Sequence, residues 1–140
     1  MAVRSDPVFS RWMDAGEHEL DGLAGDGYLQ GILLSEVSQP RYTMATDRRL
    51  VMLEDQLRGK RPKLRSRNIF FEVPWTMVKG YWTGVMPFPP DLWRVGHEGE
   101  VIVFSLDPAL ADGQDLVVLL TTPEWVSTSE RFGIPQVRDR

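Results

Sequence analysis

The chain has 140 residues and a mass of 16.0 kDa, which is the size of one domain. Hydrophobic residues make up 42% of it and charged residues 26%, a composition typical of a folded globular chain and unlike that of a disordered one. Because the sequence contains no cysteine, disulfides, thiolate metal ligands and cysteine nucleophiles are excluded.

The net charge of −4 conceals an uneven distribution along the chain. Residues 41–67 carry nine basic and three acidic side chains, a net of +6, whereas residues 1–40 and 68–140 each carry a net of −5. Nucleic-acid-binding domains are usually basic overall, so the acidic flanks argue against a general role of that kind.

The sequence predicts neither a signal peptide nor a membrane-spanning helix. The first residues lack an uninterrupted apolar stretch, and the longest wholly apolar run, residues 116–120, is far shorter than the ~20 residues that span a bilayer. We therefore expect a cytoplasmic protein without a transmembrane segment.

The N-terminal residues have the pattern of an amphipathic helix. Asp6 is a typical N-cap and Pro7 a typical first helical residue. The apolar side chains that follow at helical spacing are Val8, Phe9, Trp12 and Met13. Three glycines between residues 22 and 27 would end the segment. We expect a helix over about residues 7–20, and a glycine-rich linker up to residue 26.

Apolar, β-branched stretches bounded by turn residues predict strands along the centre of the chain. They cover residues 28–37, 42–46, 49–53, 69–73, 78–86, 101–106 and 116–121. The third stretch either continues the second or bends away from it at Asp47. Two long polar or proline-rich connections, residues 56–68 and 87–100, separate the later strands.

A short helix is predicted over residues 123–132. Thr121 and Glu124 stand at capping-box spacing, and Gly133 would terminate the helix. Its buried contacts would be Trp125, Val126 and Phe132. Strands separated by turns and followed by one helix predict a mostly antiparallel sheet that the helix closes.

Neither of the two histidines has a typical catalytic or metal-binding setting. His18 lacks a second histidine four residues further on, and His97 lies on a predicted loop beside Glu98 and Glu100, where solvation explains the polar residues better than a metal does. No serine stands in a nucleophile elbow, and no glycine-rich segment has the spacing and context of a phosphate-binding loop. We expect no catalytic residues, metal or cofactor, and therefore no enzyme.

Two clusters remain as candidate binding sites. The first is a run of six cations within ten residues, which could hold phosphates or could simply be a solvated hairpin tip: Arg58, Lys60, Arg61, Lys63, Arg65 and Arg67. The second lies in the proline-rich connection, where Phe88 and Trp93 are suited to anchor an interface or to pack within the loop. The other aromatic residues nearby are expected in the core: Trp75, Tyr81 and Trp82.

Two motifs resemble those of bacterial pleckstrin-homology-like (PH-like) domains. Residues 46–53, TDRRLVML, resemble the family's T-[ND]-x-R-L strand, and residues 71–78, FEVPWTMV, are similar to the proline-containing I/V-P-x-x-x-[IV] stretch that follows its basic loop and next strand. The resemblance covers about residues 27–132. It implies a strongly bent antiparallel sandwich or barrel of about seven strands with a C-terminal capping helix, over residues 27–133. The N-terminal helix would be extra, and residues 134–140 a short tail.

The resemblance also implies a function, because this family more often consists of protein-interaction scaffolds than of enzymes. Members that bind phosphoinositides usually carry basic residues in the first hairpin, where this chain has only Arg41. We therefore expect a non-catalytic module that binds a protein partner or a second copy of itself. The alternative is an anionic ligand, a phospholipid headgroup or nucleic acid, bound by the basic residues 58–67.

Overall fold

The alternating apolar stretches form the strands of one curled sheet. The computed structural model describes residues 3–4, 13–31, 41–53, 69–87, 98–110 and 113–137. Within these residues the strands are β1 Val3–Arg4, β2 Glu19–Gln30, β3 Arg41–Thr46, β4 Arg49–Leu53, β5 Ile69–Pro74, β6 Val78–Pro87, β7 Glu98–Leu106 and β8 Asp115–Leu119, and the α-helix is α1 Glu124–Arg131. A 3-10 turn, Trp75–Met77, joins β5 to β6.

Every strand pairing is antiparallel, and seven strands follow one another in the order β5-β4-β3-β2-β8-β7-β6, with the short β1 beside β2. The long strand β2 joins the two halves of the sheet, because Gly27 pairs with Arg41 of β3 on one side and with Val118 of β8 on the other. The sheet curls into a half-barrel. This confirms the predicted mainly antiparallel fold of about seven strands with a C-terminal helix.

The predicted N-terminal helix over about residues 7–20 is wrong in its second half. Residues 13–18 form turns and irregular chain, and β2 begins at Glu19. Residues 7–12 lie outside the described residues. The predicted linker is strand as far as residue 26, so the expected boundary at residues 26–27 falls inside β2. Gly27 favours this pairing because a Cβ there would collide with the side chain of Thr43.

The structure resolves the alternative at Asp47 in favour of a bend. Strands β3 and β4 form a hairpin in which Ala45 pairs with Leu50. The Thr46 hydroxyl stabilises the turn by accepting the N–H groups of Arg48 and Arg49, each at 3.1 Å. A threonine at this position therefore acts as a local turn residue between two buried strands.

Helix α1 confirms the predicted C-terminal helix and closes the main core. Trp125 is fully buried, and the ring of Phe132 stacks on Trp75 with the centroids 4.8 Å apart. Gly133 ends the helix with φ +75°. The predicted capping box is wrong. The N-cap residue is Pro123, which makes no side-chain capping hydrogen bond, and the Glu124 N–H instead donates to the hydroxyl of Thr122 at 3.3 Å.

Apolar residues are buried on both faces of the sheet. In β7, Ile102 and Phe104 belong to the main core that α1 covers, whereas Val101 and Val103 belong to a cluster on the opposite face, and all four are buried. A strand that is apolar at consecutive positions is typical of a sheet covered on both sides. Residues 101–104 are therefore all apolar because alternate side chains pack into two clusters on opposite faces of the sheet.

Candidate functional site

The residues of both predicted binding sites lie outside the described residues, but the strands that lead to them are described. Phe88 and Trp93 belong to the connection between β6 and β7. The cations of the other site belong to the connection between β4 and β5: Arg58, Lys60, Arg61, Lys63, Arg65 and Arg67. The ends of the flanking strands therefore give each connection a place in the fold.

The two connections leave the sheet at opposite ends. Strands β2, β4 and β7 run in the same direction, since β2 and β4 are both antiparallel to β3, and β2 and β7 are both antiparallel to β8. The basic connection follows the end of β4, and the aromatic connection precedes the start of β7. The strand ends that flank the two candidate sites therefore lie at opposite ends of the sheet.

Strands β6 and β7, which flank the aromatic connection, pair in a regular register over most of their length. From Gly80 to Pro87 the residues of β6 pair with β7 without a register shift. The β7 residues in this part are buried, as Val101 and Ile102 show with no exposed surface. On β6, Thr83 is exposed and the side chain of Val85 is 59% exposed. An exposed apolar side chain thus lies three residues before Phe88, on a strand that the core holds in place.

At the opposite end, a cation and an exposed aromatic ring lie near the basic connection. The guanidinium of Arg41, the first residue of β3, lies 3.7 Å from the ring centroid of Phe70, the second residue of β5. Phe70 is 40% exposed. Such a pair is a cation–π contact, which keeps the arginine side chain extended over the ring. It adds a positive charge to the strand ends from which residues 54–68 depart.

A buried ion cluster ties the segment before β2 to strands β3, β4 and β5. Arg49 binds Glu17 through two N–H groups, Nε to Oε2 and Nη2 to Oε1, both at 2.8 Å, and its Nη1 binds Glu72 at 2.7 Å. Glu17 also accepts the Thr46 hydroxyl at 2.6 Å and the Asp14 N–H at 2.9 Å. With the Glu17 carboxylate bonded to these neighbours, the cluster holds the chain in place and offers no poised acid or base.

Burial by itself would raise the pKa of Glu17, but the hydrogen bonds from Arg49, Thr46 and the Asp14 N–H lower it from 4.5 to about 2. The same bond to Glu17 raises the pKa of Arg49. The sequence analysis missed this cluster because it assigned residues 7–20, and Glu17 with them, to an amphipathic helix. The available signal was Arg49 of the TDRRL motif, which stands at the start of a predicted buried strand. An arginine that is buried there, as Arg49 is, requires a carboxylate partner.

The segment predicted as a short tail adds to the free edge of β6. The Tyr81 N–H donates to the Pro135 carbonyl at 3.0 Å, and the Val137 N–H donates to the Tyr81 carbonyl at 2.8 Å. Ile134 anchors the segment, being 6% exposed and bonded through its N–H to the Ser129 carbonyl at 2.9 Å. Residues 134–137 are therefore part of the folded structure, and residues 138–140 lie outside the described residues.

His18 is exposed, and its backbone N–H donates to the Asp47 carboxylate at 3.1 Å. Over the described ranges, no group of three or more histidine, aspartate and glutamate side chains could hold a metal ion. In the same part of the chain, no helix has the length and apolar character needed to cross a membrane. His97 lies outside the described residues.

No family model, curated protein or solved structure matches the chain. A function is therefore inferred from the exposed apolar residue near the aromatic connection and from the cations near the basic connection.

Proposed function

We propose that this chain is a non-catalytic binding module of the PH-like type, which contacts a protein partner or a second copy of itself through Phe88 and Trp93. The TDRRL and proline-containing motifs support the family. The antiparallel path of seven strands followed by one helix is the architecture that this resemblance implies. Binding residues are often carried by the connections between the strands of such a scaffold.

The observation that carries the proposal is the exposed end of the β6–β7 hairpin. Val85 is 59% exposed, although it pairs with Glu100 in a strand whose next residue, Val101, is completely buried. Two aromatic residues in the connection that follows this strand are suited to fill pockets on a partner, because their side chains are large and apolar. Interfaces commonly concentrate their binding energy in a few anchors of this type.

The experiment compares the wild-type chain with the double variant Phe88→Ala/Trp93→Ala. Self-association is measured by sedimentation over a range of concentrations, and a partner that co-purifies at both low and high salt is identified and titrated as a pure protein. We expect the double variant to lose association while its unfolding midpoint stays close to that of the wild type. Leu110→Ala, at another exposed apolar residue (38% exposed), is the matched control and should bind normally. Wild-type affinity in the double variant would refute the proposal.

A second candidate function is the binding of anionic phosphates by the basic connection. The observation in its favour is the Arg41–Phe70 pair, which places one more cation beside an exposed ring at this end of the sheet. Basic residues next to an exposed aromatic ring could bind a phospholipid headgroup or a nucleic-acid strand through charge and stacking. Binding to anionic vesicles or single-stranded nucleic acid at low salt tests this candidate.

A further inference from the structure

Residues 134–137 lie against the outer edge of β6, in a slot formed by Gly80 and Tyr81. The Tyr81 N–H donates to the Pro135 carbonyl at 3.0 Å, and the Tyr81 carbonyl accepts the Val137 N–H at 2.8 Å. The segment runs parallel to β6, with Gln136 paired to Tyr81. Both hydrogen bonds use backbone groups, which is how sheets commonly bind extended peptides.

Gly80 makes room in the slot for one side chain of the segment. A Cβ at this position would lie 2.7 Å from Val137 Cγ1 and 3.3 Å from the Pro135 carbonyl oxygen. The Val137 side chain therefore occupies space that any larger residue at position 80 would need. A glycine inside a strand often marks the place where another segment approaches closely.

A second apolar side chain anchors the start of the segment. Ile134 is buried in the main core, and its N–H donates to the Ser129 carbonyl of α1 at 2.9 Å. Between the two apolar anchors, Pro135 and Gln136 are exposed. The slot thus contacts two β-branched side chains three positions apart and the backbone between them, and it leaves the middle side chains in solvent.

The segment is held less firmly than the helix before it. Val137 is half-buried, and the exposed Gly133 that precedes the segment has φ +75°. Helix α1, in contrast, is anchored by the fully buried Trp125. Segments with few buried apolar contacts open locally while the rest of the protein stays folded. We therefore expect the slot to become free without unfolding of α1.

We propose that the slot at Gly80 and Tyr81 is a recognition site for an extended segment of a protein partner, and that residues 134–137 compete for it within the chain. The chain's own segment shows what fits: a β-branched apolar residue, two residues read only through their backbone, and a second β-branched apolar residue. Backbone hydrogen bonds supply affinity, and the two apolar side chains supply selectivity. The competing segment lowers the apparent affinity by the fraction of time for which the slot is filled.

The slot rests on the proposed function, because it gives the same kind of partner a second contact. It is separate from the aromatic connection. Gly80 and Tyr81 lie near the start of β6, whereas the connection that holds Phe88 and Trp93 follows the end of that strand at Pro87.

The experiment titrates the full chain with the peptide Gly-Ile-Pro-Gln-Val-Arg, the sequence of residues 133–138, and follows the backbone amide signals of Gly80 and Tyr81 by NMR. Val137→Gly keeps the backbone donor of the segment and removes the side chain that lies over Gly80. This variant should bind the peptide about tenfold more tightly than the wild type does, because its own segment competes less. The same peptide N-methylated at its valine lacks the N–H that bonds to the Tyr81 carbonyl and should not bind.

Gly80→Ala is the matched variant. Its methyl group displaces the chain's own segment and also fills the slot, so it should not bind the peptide, whereas Val137→Gly should. In the wild-type chain, saturation with the peptide should speed amide exchange at Val137, because the segment is displaced. Slow exchange at α1 amides checks that each variant is folded.

Four outcomes would each overturn the proposal. They are equal peptide affinity of the wild type and Val137→Gly, peptide binding by Gly80→Ala, unchanged exchange at Val137 in the saturated wild type, and Tyr81 signals that depend on chain concentration without peptide. The last outcome would assign the slot to a second copy of the chain.

The result is separable from that of the proposed function. Peptide binding that survives in Phe88→Ala/Trp93→Ala establishes the slot independently of the aromatic anchors. Loss of partner association in that double variant, together with no peptide binding to Val137→Gly, refutes the slot and leaves the aromatic contact standing.

Discussion

At the scale of single residues, the buried carboxylate of Glu17 makes the stability of the fold depend on pH. Its side chain has no exposed surface, and its folded-state pKa of about 2 lies below the ordinary value of 4.5. A carboxylate with a lowered pKa stabilises the fold above its unfolded pKa, and this contribution is lost as the pH falls through the folded value. The window of loss for Glu17 therefore runs from about pH 4.5 down to about pH 2.

We predict that Glu17→Gln lowers the free energy of unfolding at pH 7 by on the order of 2–3 kcal/mol, because Arg49 loses its buried ionic partner. The difference from wild type should shrink below pH 4.5, as the wild-type carboxylate becomes protonated. Urea unfolding at pH 7, 4.5 and 3 measures it. Glu72→Gln is the control: the Glu72 side chain is 50% exposed, so the cost should stay below about 1 kcal/mol. A Glu17→Gln difference that is constant with pH would contradict this origin.

Among the described tryptophans, the buried Trp75 and Trp125 differ in whether the indole N–H has a hydrogen-bond partner. The Trp75 Nε1–H donates to the Thr46 carbonyl at 2.8 Å, whereas the Trp125 Nε1–H is buried without a hydrogen-bond partner among the described residues. We predict that Trp125→Ala costs on the order of 3–5 kcal/mol, because it removes a fully buried ring under α1.

The phenylalanine variants separate packing from hydrogen bonding. Trp75→Phe should cost about 1 kcal/mol more than Trp125→Phe in the same unfolding experiment, since only Trp75 loses a bond. Equal costs for the two would mean that the indole hydrogen bond adds nothing to stability.

At the scale of elements, the segment 134–137 and β6 fit together closely at Gly80. A Cβ at Gly80 would lie 2.7 Å from Val137 Cγ1 and 3.3 Å from the Pro135 carbonyl oxygen. We predict that Gly80→Ala displaces this segment from the edge of β6, with faster amide exchange at Tyr81 and Val137 while α1 keeps its protection.

Gly25→Ala is the matched control for Gly80→Ala. Its Cβ would make an ordinary 3.6 Å contact with Thr121 Cγ2, so the exchange rates at Tyr81 and Val137 should stay at the wild-type values. Unchanged exchange at Tyr81 in Gly80→Ala would show that the segment adapts to the added methyl group.

At the scale of the whole molecule, the strand ends that flank the aromatic and basic connections lie at opposite ends of the sheet, so we expect the two functions to be separable. We predict that replacing Arg61, Lys63 and Arg65 by glutamine weakens binding to phosphatidylserine vesicles and lowers its salt dependence, because exposed cations act through screened charge. Association through Phe88 and Trp93, and the unfolding midpoint, should stay as in the wild type.

The reciprocal variant completes this test. Phe88→Ala/Trp93→Ala should bind the vesicles as the wild type does. No vesicle binding by the wild type at low salt would remove the anionic function, and loss of protein association in the glutamine variant would show that the two ends act together.

The positions of most strands and of α1 could be predicted from the sequence, because the causes of these elements are local. Apolar residues such as Val101–Phe104 alternate between two buried faces, and Trp125 with Gly133 marks a short helix that packs and then ends. The absence of cysteine likewise follows from the residue list alone.

Only the tertiary structure decided the conformation of the segment before β2, the place of residues 134–137 and the end of the sheet at which each strand begins and stops. Helical spacing around Met13 favours a helix, but Glu17 is held by Arg49, 32 positions further along the chain, and that buried ion pair outweighs a local preference of a few tenths of a kcal/mol per residue. Residues 135–137 likewise pair with Tyr81 through backbone groups that every sequence carries, so no side-chain pattern reveals them. The direction of each strand, and with it the end at which a connection emerges, is set by pairing between distant segments.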